Sequence, residues 1–368
     1  MCLIKLHYRT SSRFINNRLS TQIMAQTVLL TGASGFIAQH IAKLLVTEGY
    51  SVVGTVRSKN KGNQLEENLK KLGSGSFTYE IVSDIAEKNA FDEAFSKHPE
   101  ISVVLHTASP FFYDTKDPEK ELILPAIRGT DNVFGVIKKQ VDAGTCKIER
   151  VVLTSSDAAL YSAEDEQRKE LHFDETSWNQ ITYEDAIKDP ISAYYGAKTF
   201  AERKAWEFSK QDGFPSLTAV NPVYVFGPQA FDTEAKGKLN TSNELIRGLL
   251  SLDDGDTFSN ETGGYIDVRD VARAHVLAFQ EDQLMGKRLF MTNGNFSVQM
   301  MLDVIHKHFP QFSEVPRGNP GSGELDTTSL AKKDNKKTRE LVGFEFVPFE
   351  KMVVDVVGQI VRAAGEER

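Results

Sequence analysis

Cysteine is nearly absent from this chain of 368 residues, which contains only Cys2 and Cys146. Two cysteines exclude a disulfide framework and suit a reducing compartment. The cysteines and histidines also lack ligand spacing, so no metal is expected. No apolar run is long enough to span a membrane, so no membrane partner is expected. Lysine and arginine number 43 against 51 aspartates and glutamates, a formal net charge of −8 that argues against nucleic acid as a partner.

No acidic residue occurs before Glu48, and residues 1–23 carry four basic ones. A basic segment rich in hydroxyl groups is typical of a mitochondrial transit peptide. Two other interpretations are an extension without any address and an upstream start, since Met24 directly precedes the first predicted strand. We favour these two, and with them a cytoplasmic protein.

A glycine turn between a predicted strand and a predicted helix organises the rest of the chain. The strand covers residues 27–31 and runs into the turn TGASG. Gly32 permits the turn, Gly35 lets a pyrophosphate approach the backbone, and Ala38 lets the helix pack closely on the strand. Free amides at the helix N-terminus bind phosphate. A β-rich run at residues 50–56 completes a βαβ unit, which favours a dinucleotide site over an ordinary strand-to-helix connection.

The end of that second strand indicates which dinucleotide binds. NAD-specific folds place an acid there, whereas a basic residue accommodates the 2′-phosphate of NADP. Arg57 stands at this position and Lys61 lies one helical turn later. These residues predict NADP, the alternative being that both are solvated loop charges. After the next strand, Asp84 and Ile85 could hold the adenine, although Asp84 could equally cap a helix beginning near Ala86.

Two later strands end in residues suited to contact a ligand. The strand predicted at 101–108 ends in small residues such as Thr107 and leads into the aromatic run PFFY. The strand RVVLT leads directly into Ser155 and Ser156. Ligands of open parallel sheets bind at the carboxyl ends of the strands. The hydroxyls could therefore hold a substrate carbonyl, although serines at such a junction are more often turn residues.

A tyrosine and a lysine follow the long, charged segment 163–190, which is expected to be an irregular loop with a surface or lid role. Tyr194 and Lys198 are four residues apart in a predicted helix and therefore share one face. A nearby ammonium lowers the pKa of a phenol from about 10 and makes it a useful acid at neutral pH. The alternative, an exposed tyrosine beside an unrelated lysine, is disfavoured because the pair follows the glycine turn and the serines in order.

With these elements in order, the sequence resembles the extended short-chain dehydrogenase/reductases. Within them it is most similar to the dihydroflavonol-4-reductase-like branch that includes fungal-type NADPH-dependent methylglyoxal and 3-methylbutanal reductases. The motifs that carry the resemblance are TGASGFIAQHIA, LHTASPF, ERVVLTSS, AYYGAKTFAE, LTAVNPVYVFGPQ, LNTS and GGYIDVRDVARAHVLAFQ. The resemblance extends from Ala25 onward and does not cover residues 1–23.

The resemblance implies a role for each matching residue. Tyr194 would be the proton donor, Lys198 would tune it and hold the nicotinamide ribose, and Ser156 would hydrogen-bond the carbonyl oxygen. The residues implied to bind the cofactor are Gly32, Ala33, Ser34, Gly35, Phe36, Ile37, Arg57, Lys61, Asp84, Ile85, Thr107, Tyr194, Lys198, Val225 and Ser242. The residues implied to line the substrate pocket are Phe111, Asp157, Tyr161, Ile191 and Tyr224.

Two positions depart from the family pattern. Similar enzymes usually carry an aromatic residue directly after the catalytic serine, whereas Asp157 stands here. That puts a charge or a hydrogen-bonding group beside the carbonyl site and leaves the substrate range open. Similar enzymes also often carry asparagine before the Gly-Thr pair of the central helix, where this chain has Arg128. The backbone or water contacts of that asparagine are therefore not carried over.

We therefore predict an α/β protein with a Rossmann-type doubly wound parallel sheet and a smaller C-terminal substrate-binding lobe. Residues 24–221 would bind NADP and carry the catalytic residues, and residues 222–368 would form mainly the lobe, with some return to the sheet core. The expected reaction is NADPH-dependent reduction of a small aldehyde or ketone, of the methylglyoxal, 3-methylbutanal or prochiral ketone type, by a monomer or homodimer.

Two alternatives remain at this point. An NAD(P)-dependent nucleotide-sugar epimerase or dehydratase shares the fold but is expected to carry an acid where Arg57 stands. A non-catalytic NADP-sensing protein would not need Ser156, Tyr194 and Lys198 together.

Overall fold

A computed structural model describes residues 26–109 and 115–365 of the chain. Its strands are β1 Thr27–Thr31, β2 Ser51–Val56, β3 Ser76–Ile81, β4 Ile101–His106, β5 Arg150–Thr154, β6 His172–Phe173, β7 Ser216–Pro222, β8 Tyr224–Phe226, β9 Thr262–Asp267, β10 Arg288–Met291, β11 Asn295–Ser297 and β12 Lys332–Lys333. Its helices are α1 Phe36–Thr47, α2 Lys59–Leu69, α3 Asp92–Lys97, α4 Leu124–Asp142, α5 Ala163–Glu166, α6 Tyr183–Ala186, α7 Pro190–Ser209, α8 Thr241–Leu249, α9 Val268–Gln280, α10 Val298–His308, α11 Gly323–Asp326, α12 Lys336–Val342 and α13 Phe349–Gly365.

Seven strands form one parallel sheet in the order β10-β7-β5-β4-β1-β2-β3. The chain runs outward from β1 to β3, returns to β4 on the other side of β1, and then continues in the opposite direction. The direction of winding therefore reverses between β1 and β4, which is where doubly wound sheets bind ligands. This topology confirms the predicted Rossmann-type fold.

Helices cover both faces of the sheet because successive side chains of each strand point to opposite faces. Val28 and Leu30 of β1 pack in one apolar cluster with residues of α1 and α9, whereas Leu29 packs in a second cluster with residues of α4. A buried strand with apolar residues on both faces is typical of parallel sheets. In the described part of the chain, none of the helices has both the length and the apolar character needed to cross a membrane.

The C-terminal part of the chain builds a second, smaller core. Helices α8, α10 and α13 pack around Phe226, Phe296 and Met301, beside the three-stranded sheet β11-β9-β8. Between β9 and β11 the chain returns to the large sheet, where β10 pairs in parallel with β7.

The segment 163–190 is more ordered than expected from its sequence. It contains α5, the short strand β6, which pairs with β12, and α6. Trp178 lies against the Arg288 guanidinium, 4.0 Å from the ring centroid. No local pattern indicates these partners, because β12 and Arg288 lie more than 100 residues beyond β6 and Trp178 along the chain.

Candidate active site

The glycine turn after β1 has the backbone that a dinucleotide site needs. Gly32 adopts a φ of +65°, and a Cβ on it would lie 3.0 Å from the Ala108 Cα, so a side chain would be strained twice over. The turn is held to β2 because the amides of Gly32 and Ala33 donate to the side chain and backbone oxygens of Thr55 at 3.1 and 2.9 Å. No side chain caps α1 at Gly35. The first-turn amides of α1 therefore remain suited to a phosphate.

The end of β4 is bound to the end of β1. The Thr31 hydroxyl oxygen accepts from the amides of Thr107 and Ala108, both at 3.1 Å, and lies 2.8 Å from His106 Nδ1. Burial lowers the pKa of His106 to about 3, so the imidazole is neutral. This buried network fixes Thr107 at the carboxyl end of the sheet.

Helix α7 carries the tyrosine and the lysine. It begins at an Asp189 cap whose carboxylate accepts from the amides of Ile191 and Ser192 at 2.9 Å. Tyr194 Oη donates to Ser156 Oγ across 3.1 Å, which joins the helix to the end of β5. Burial lowers the pKa of the Lys198 ammonium to about 8, while the buried Glu202 carboxylate opposes that shift.

One turn beyond Lys198, Glu202 anchors the helix to the sheet. Its carboxylate accepts from Ser155 Oγ at 2.5 Å, from Asn221 Nδ2 at 2.7 Å and from Arg288 Nε at 2.6 Å. Glu202 is fully buried and Arg288 nearly so, and the pair satisfies the condition that a buried charge be both paired and hydrogen-bonded. Strands β5, β7 and β10 are thereby joined to the helix that carries Tyr194.

A cavity of about 540 Å³ extends from the N-terminus of α1 to the tyrosine and the serine. The predicted site residues that line it are Gly35, Phe36, Ile37, Thr107, Ser156, Asp157, Tyr194, Lys198, Tyr224, Val225 and Ser242. Within the described residues no group of three or more histidine, cysteine or acidic side chains could hold a metal ion. The cavity thus offers a phosphate-binding backbone at one end and hydroxyl donors beside an ammonium at the other.

Asp157 contributes a buried carboxyl group to this cavity. Ser156 Oγ donates to one of its oxygens at 2.8 Å and Tyr161 Oη to the other at 2.6 Å. Burial, and after it the nearby Glu166 carboxylate, raises the pKa of Asp157 to about 6, against the opposing effects of these hydrogen bonds and of Lys333. The carboxyl therefore titrates far closer to neutrality than an exposed aspartate does.

The sequence model of the family described as "NAD dependent epimerase/dehydratase family" matches residues 28–290. The chain belongs to this family. The putative NADPH-dependent methylglyoxal reductase GRP2 of Candida albicans is 50% identical over 339 residues, covering 91% of this chain and 98% of that protein. The NADPH-dependent methylglyoxal reductase GRE2 of Saccharomyces cerevisiae is 44% identical over 344 residues, covering 92% of this chain and 99% of that protein.

A solved relative shares the fold closely. The crystal structure of yeast methylglyoxal/isovaleraldehyde reductase Gre2 complexed with NADPH matches with a TM-score of 0.87 at 44% identity, covering 92% of this chain and 99% of that one. The resemblance to the extended short-chain dehydrogenase/reductases is confirmed.

Several of the residues predicted to bind NADP do not line the cavity. Ala33 and Ser34 belong to the turn that precedes α1. Arg57 is exposed at the end of β2, and Lys61 is exposed in the first turn of α2, where its Nζ lies 4.0 Å from a carboxylate oxygen of Glu234.

The Asp84 and Ile85 pair lies at the carboxyl end of β3. Asp84 is exposed, and its carboxylate accepts from the Ala86 amide at 2.8 Å. That bond caps a turn, because the next helix, α3, begins only at Asp92, so the expected helix start near Ala86 is wrong. The Ile85 side chain packs against Gly129 of α4, and a Cβ placed on Gly129 would lie 2.7 Å from Ile85 Cδ1.

Three residues expected in the substrate pocket are not found on the described cavity wall. Tyr161 is fully buried, because its hydroxyl points to Asp157 and its ring packs against Phe173. Ile191 is 54% exposed, because it occupies the solvent side of the first turn of α7. Phe111 lies outside the described residues.

The cavity wall also includes residues that sequence reasoning missed, among them Tyr195, Lys238, Leu239, Asn240, Leu245 and Glu261. Four of them lie directly beside or within one turn of Ser242, so the LNTS motif could have indicated them. Glu261 carries no motif, and its contact, a hydrogen bond accepted from Tyr224 Oη at 3.0 Å, shows only in the fold.

Proposed function

We propose that this protein is an NADPH-dependent carbonyl reductase that converts small aldehydes and ketones to alcohols. The observation that carries the proposal is the 3.1 Å contact between Tyr194 Oη and Ser156 Oγ inside the cavity that begins at the glycine turn. Bound NADPH supplies a hydride to the carbonyl carbon. The methylglyoxal and isovaleraldehyde named for the yeast relative Gre2 are the first substrates to try.

The residues present fit this cofactor. Gly32 leaves room where the Cβ of any other residue would collide with Ala108. The uncapped N-terminus of α1 offers amides to the pyrophosphate. Arg57 and Lys61 would hold the 2′-phosphate as exposed cations, a task for which an acid would be unsuited. The remaining cofactor contacts are those proposed from the sequence: adenine at Asp84 and Ile85, and the nicotinamide half at Thr107, Lys198, Val225 and Ser242.

The chain supplies the proton and the polarisation. Ser156 donates a hydrogen bond to the substrate oxygen and so acts as a small oxyanion site, for which a single buried donor is worth about 10²–10³ in rate. Tyr194 gives its proton to that oxygen as the carbon is reduced. Lys198, four residues along the same helix, stabilises the phenolate that Tyr194 becomes and holds the nicotinamide ribose.

The proposal includes the organisation of the chain. Residues 24–221 form the cofactor-binding part, and residues 222–368 mainly the substrate-binding lobe. The protein acts in the cytoplasm, or in mitochondria if residues 1–23 direct it there, as a monomer or homodimer. Sedimentation velocity distinguishes the two oligomeric states, and a fluorescent fusion with and without residues 1–23 distinguishes the two locations.

The test is NADPH oxidation followed by absorbance, with NADH in parallel, on methylglyoxal, 3-methylbutanal, an aryl ketone and a dihydroflavonol. We expect turnover with NADPH that Tyr194→Phe abolishes and Tyr183→Phe retains. Tyr183 is a matched control because its exposed hydroxyl donates to Glu119 at 2.7 Å, on the surface. Tight NADPH binding without oxidation by any carbonyl would overturn the proposal and favour a cofactor sensor or an epimerase.

A further inference from the structure

The Ser156 hydroxyl has no hydrogen-bonding capacity to spare. A hydroxyl offers one donor and two acceptor sites. Ser156 Oγ donates to Asp157 at 2.8 Å, and it accepts from the Ala158 amide at 3.2 Å and from Tyr194 Oη at 3.1 Å. In this arrangement the proton of Tyr194 points to Ser156, and the proton of Ser156 points to Asp157.

The direction of this chain of bonds follows from the charge on Asp157. An ionised carboxylate can only accept, so both Ser156 and Tyr161 must donate to it. The Tyr161 hydroxyl donates to the carboxylate because Tyr161 is fully buried and its Oη lies 2.6 Å from the carboxylate. With Asp157 ionised, the Ser156 proton that should polarise the substrate is therefore directed away from it.

Protonation of Asp157 reverses the hydrogen bond between Asp157 and Ser156 and releases the Ser156 proton. With Tyr161 still donating to one oxygen, the protonated oxygen can donate to Ser156 Oγ. The two acceptor sites of Ser156 are then filled by Asp157 and by the Ala158 amide, so Tyr194 can no longer donate there. The proton of Ser156 becomes available to a carbonyl oxygen in the cavity.

We propose that Asp157 is a positioning residue for carbonyl reduction, which in its neutral form directs the Ser156 hydroxyl to the substrate oxygen and in its anionic form holds the Ser156 proton back. The inference rests on the reductase function proposed above and adds to it a control of the same site by one carboxyl proton. Asp157 acts through Ser156, whose proton it accepts.

The buried surroundings of Asp157 place this titration in an accessible range. Burial and the Glu166 carboxylate raise its pKa to about 6, while Lys333, paired with Glu166 at 2.9 Å, opposes them. The titratable and charged groups nearest to it on the elements packed around it are Tyr161 and Glu166 on its own segment, Tyr194, Tyr195, Lys198 and Glu202 on α7, Arg288 on β10 and Lys333 on β12. Lys198 titrates separately, with a pKa of about 8.

The first experiment compares the pH dependence of kcat/KM for methylglyoxal in the wild-type protein and in Asp157→Asn, from about pH 5 to pH 9. In the wild type we expect kcat/KM to fall as pH rises through about 6. The fall should lie between about tenfold and the hundredfold that loss of an oxyanion donor costs. Asparagine imitates the neutral acid, because its Oδ1 can accept from Tyr161 while its Nδ2 donates to Ser156. The variant should lack this fall, and its kcat/KM should exceed that of the wild type at about pH 7.5. Any change in kcat/KM that Lys198 causes at higher pH should remain in both proteins.

Two further variants should shift the midpoint of the fall in kcat/KM with pH in opposite directions. Glu166→Gln removes a carboxylate that opposes ionisation of Asp157 and leaves the buried Lys333 unpaired, so the midpoint should shift to lower pH. Tyr161→Phe removes a donor that favours the anion, so the midpoint should shift to higher pH. A residue needed only for packing would lower activity equally at every pH.

The proposal is overturned if Asp157→Asn keeps the wild-type fall near pH 6, or if Glu166→Gln and Tyr161→Phe leave the midpoint unchanged. Infrared difference spectra of the NADPH-bound protein give a reading that does not depend on turnover. The protonated carboxyl band that disappears as pH rises through about 6 should be missing from Asp157→Asn, whereas the separate band of the buried Asp270 carboxyl in α9, which titrates near pH 7, should remain in both proteins. Absence of the Asp157 band from the wild type overturns the inference. A wild type that shows the band but reduces no carbonyl would instead overturn the proposed function.

Discussion

The Ser155 hydroxyl lies 2.5 Å from the Glu202 carboxylate, inside the protein, while the next hydroxyl along the chain, that of Ser156, contacts Tyr194 and Asp157 in the cavity. The two serines follow an extended strand, in which neighbouring side chains point in opposite directions. One hydroxyl therefore holds β5 against α7, and the other is left for chemistry. Adjacent residues of one type thus serve stability and catalysis separately.

This division predicts different results for two alanine substitutions. Ser156→Ala should lower kcat/KM by about 10²–10³ because it removes the donor to the substrate oxygen. Ser155→Ala should instead lower the free energy of unfolding by about 1–3 kcal/mol because the buried Glu202 loses a partner. Steady-state kinetics and chemical denaturation of both variants check this. Equal losses of activity in the two would contradict the assignment.

The cation at the end of β2 should determine the choice of cofactor. Arg57→Ala is expected to weaken NADPH binding about ten- to a hundredfold, since a hydrogen bond to a charged group contributes about 1.5–3 kcal/mol. NADH, which lacks the 2′-phosphate, should bind as before. Lys59→Ala is the matched control, an exposed cation in the first turn of α2. Fluorescence titration with both cofactors measures the effect, and equal weakening of NADPH and NADH would count against it.

Two glycine-to-alanine substitutions should change stability in opposite directions. Gly32→Ala forces a side chain onto a φ of +65° and within 3.0 Å of the Ala108 Cα, so it should destabilise the fold by at least about 1–2 kcal/mol and weaken NADPH binding. Gly135 lies inside α4 with nothing within 4 Å of a Cβ placed on it. Gly135→Ala should therefore stabilise by about 1 kcal/mol. Thermal denaturation with and without NADPH separates the two effects, and similar melting shifts would contradict the argument.

Asp270 should make stability depend on pH. Its carboxylate accepts from the Val347 amide at 2.8 Å, and burial, reinforced by Asp267, raises its pKa from 3.8 to about 7 against the effects of Arg269 and Arg273. The folded protein therefore binds this proton more tightly than the unfolded chain does. The resulting stabilisation is fully present below about pH 4 and is lost as pH rises through about 7.

The measurement compares the wild type with Asp270→Asn, which keeps an acceptor for Val347 but does not ionise. At about 1.4 kcal/mol per pKa unit, the wild type should lose up to about 4 kcal/mol relative to the variant between pH 4 and pH 8. Chemical denaturation of both proteins at pH 5 and pH 8 gives the change in the free energy of unfolding that tests this prediction. A difference that does not change with pH would show that Asp270 does not titrate in this range.

The sheet could be predicted from sequence because its determinants are local. The glycine turn, the buried strands that lead into Thr107 and Ser155, and the four-residue spacing of Tyr194 and Lys198 each lie within a dozen residues. A parallel sheet then places the carboxyl ends of β1, β4 and β5 side by side, which brings the motifs to one cavity without further information.

The charged surroundings of the site could not be predicted in this way. Asp157 was visible as a departure from the family pattern, but Lys333, which opposes its rise in pKa, lies 176 residues later. The ion pair between Glu202 and Arg288 likewise joins two elements 86 residues apart. Such contacts depend on how distant parts of the chain pack together, and no local pattern records them.

The return of the chain to the large sheet has a consequence for protein engineering. Strand β10 pairs with β7, so a chain cut after residue 222 would expose the backbone amides and carbonyls of β7 along an open edge. Exposed edges of this kind template aggregation. The cut would also remove Arg288 and leave the carboxylate of Glu202 buried without its cation. The lobe therefore cannot be exchanged between relatives by a single joint at its start, and a viable chimera needs a second joint that leaves β10 with the sheet.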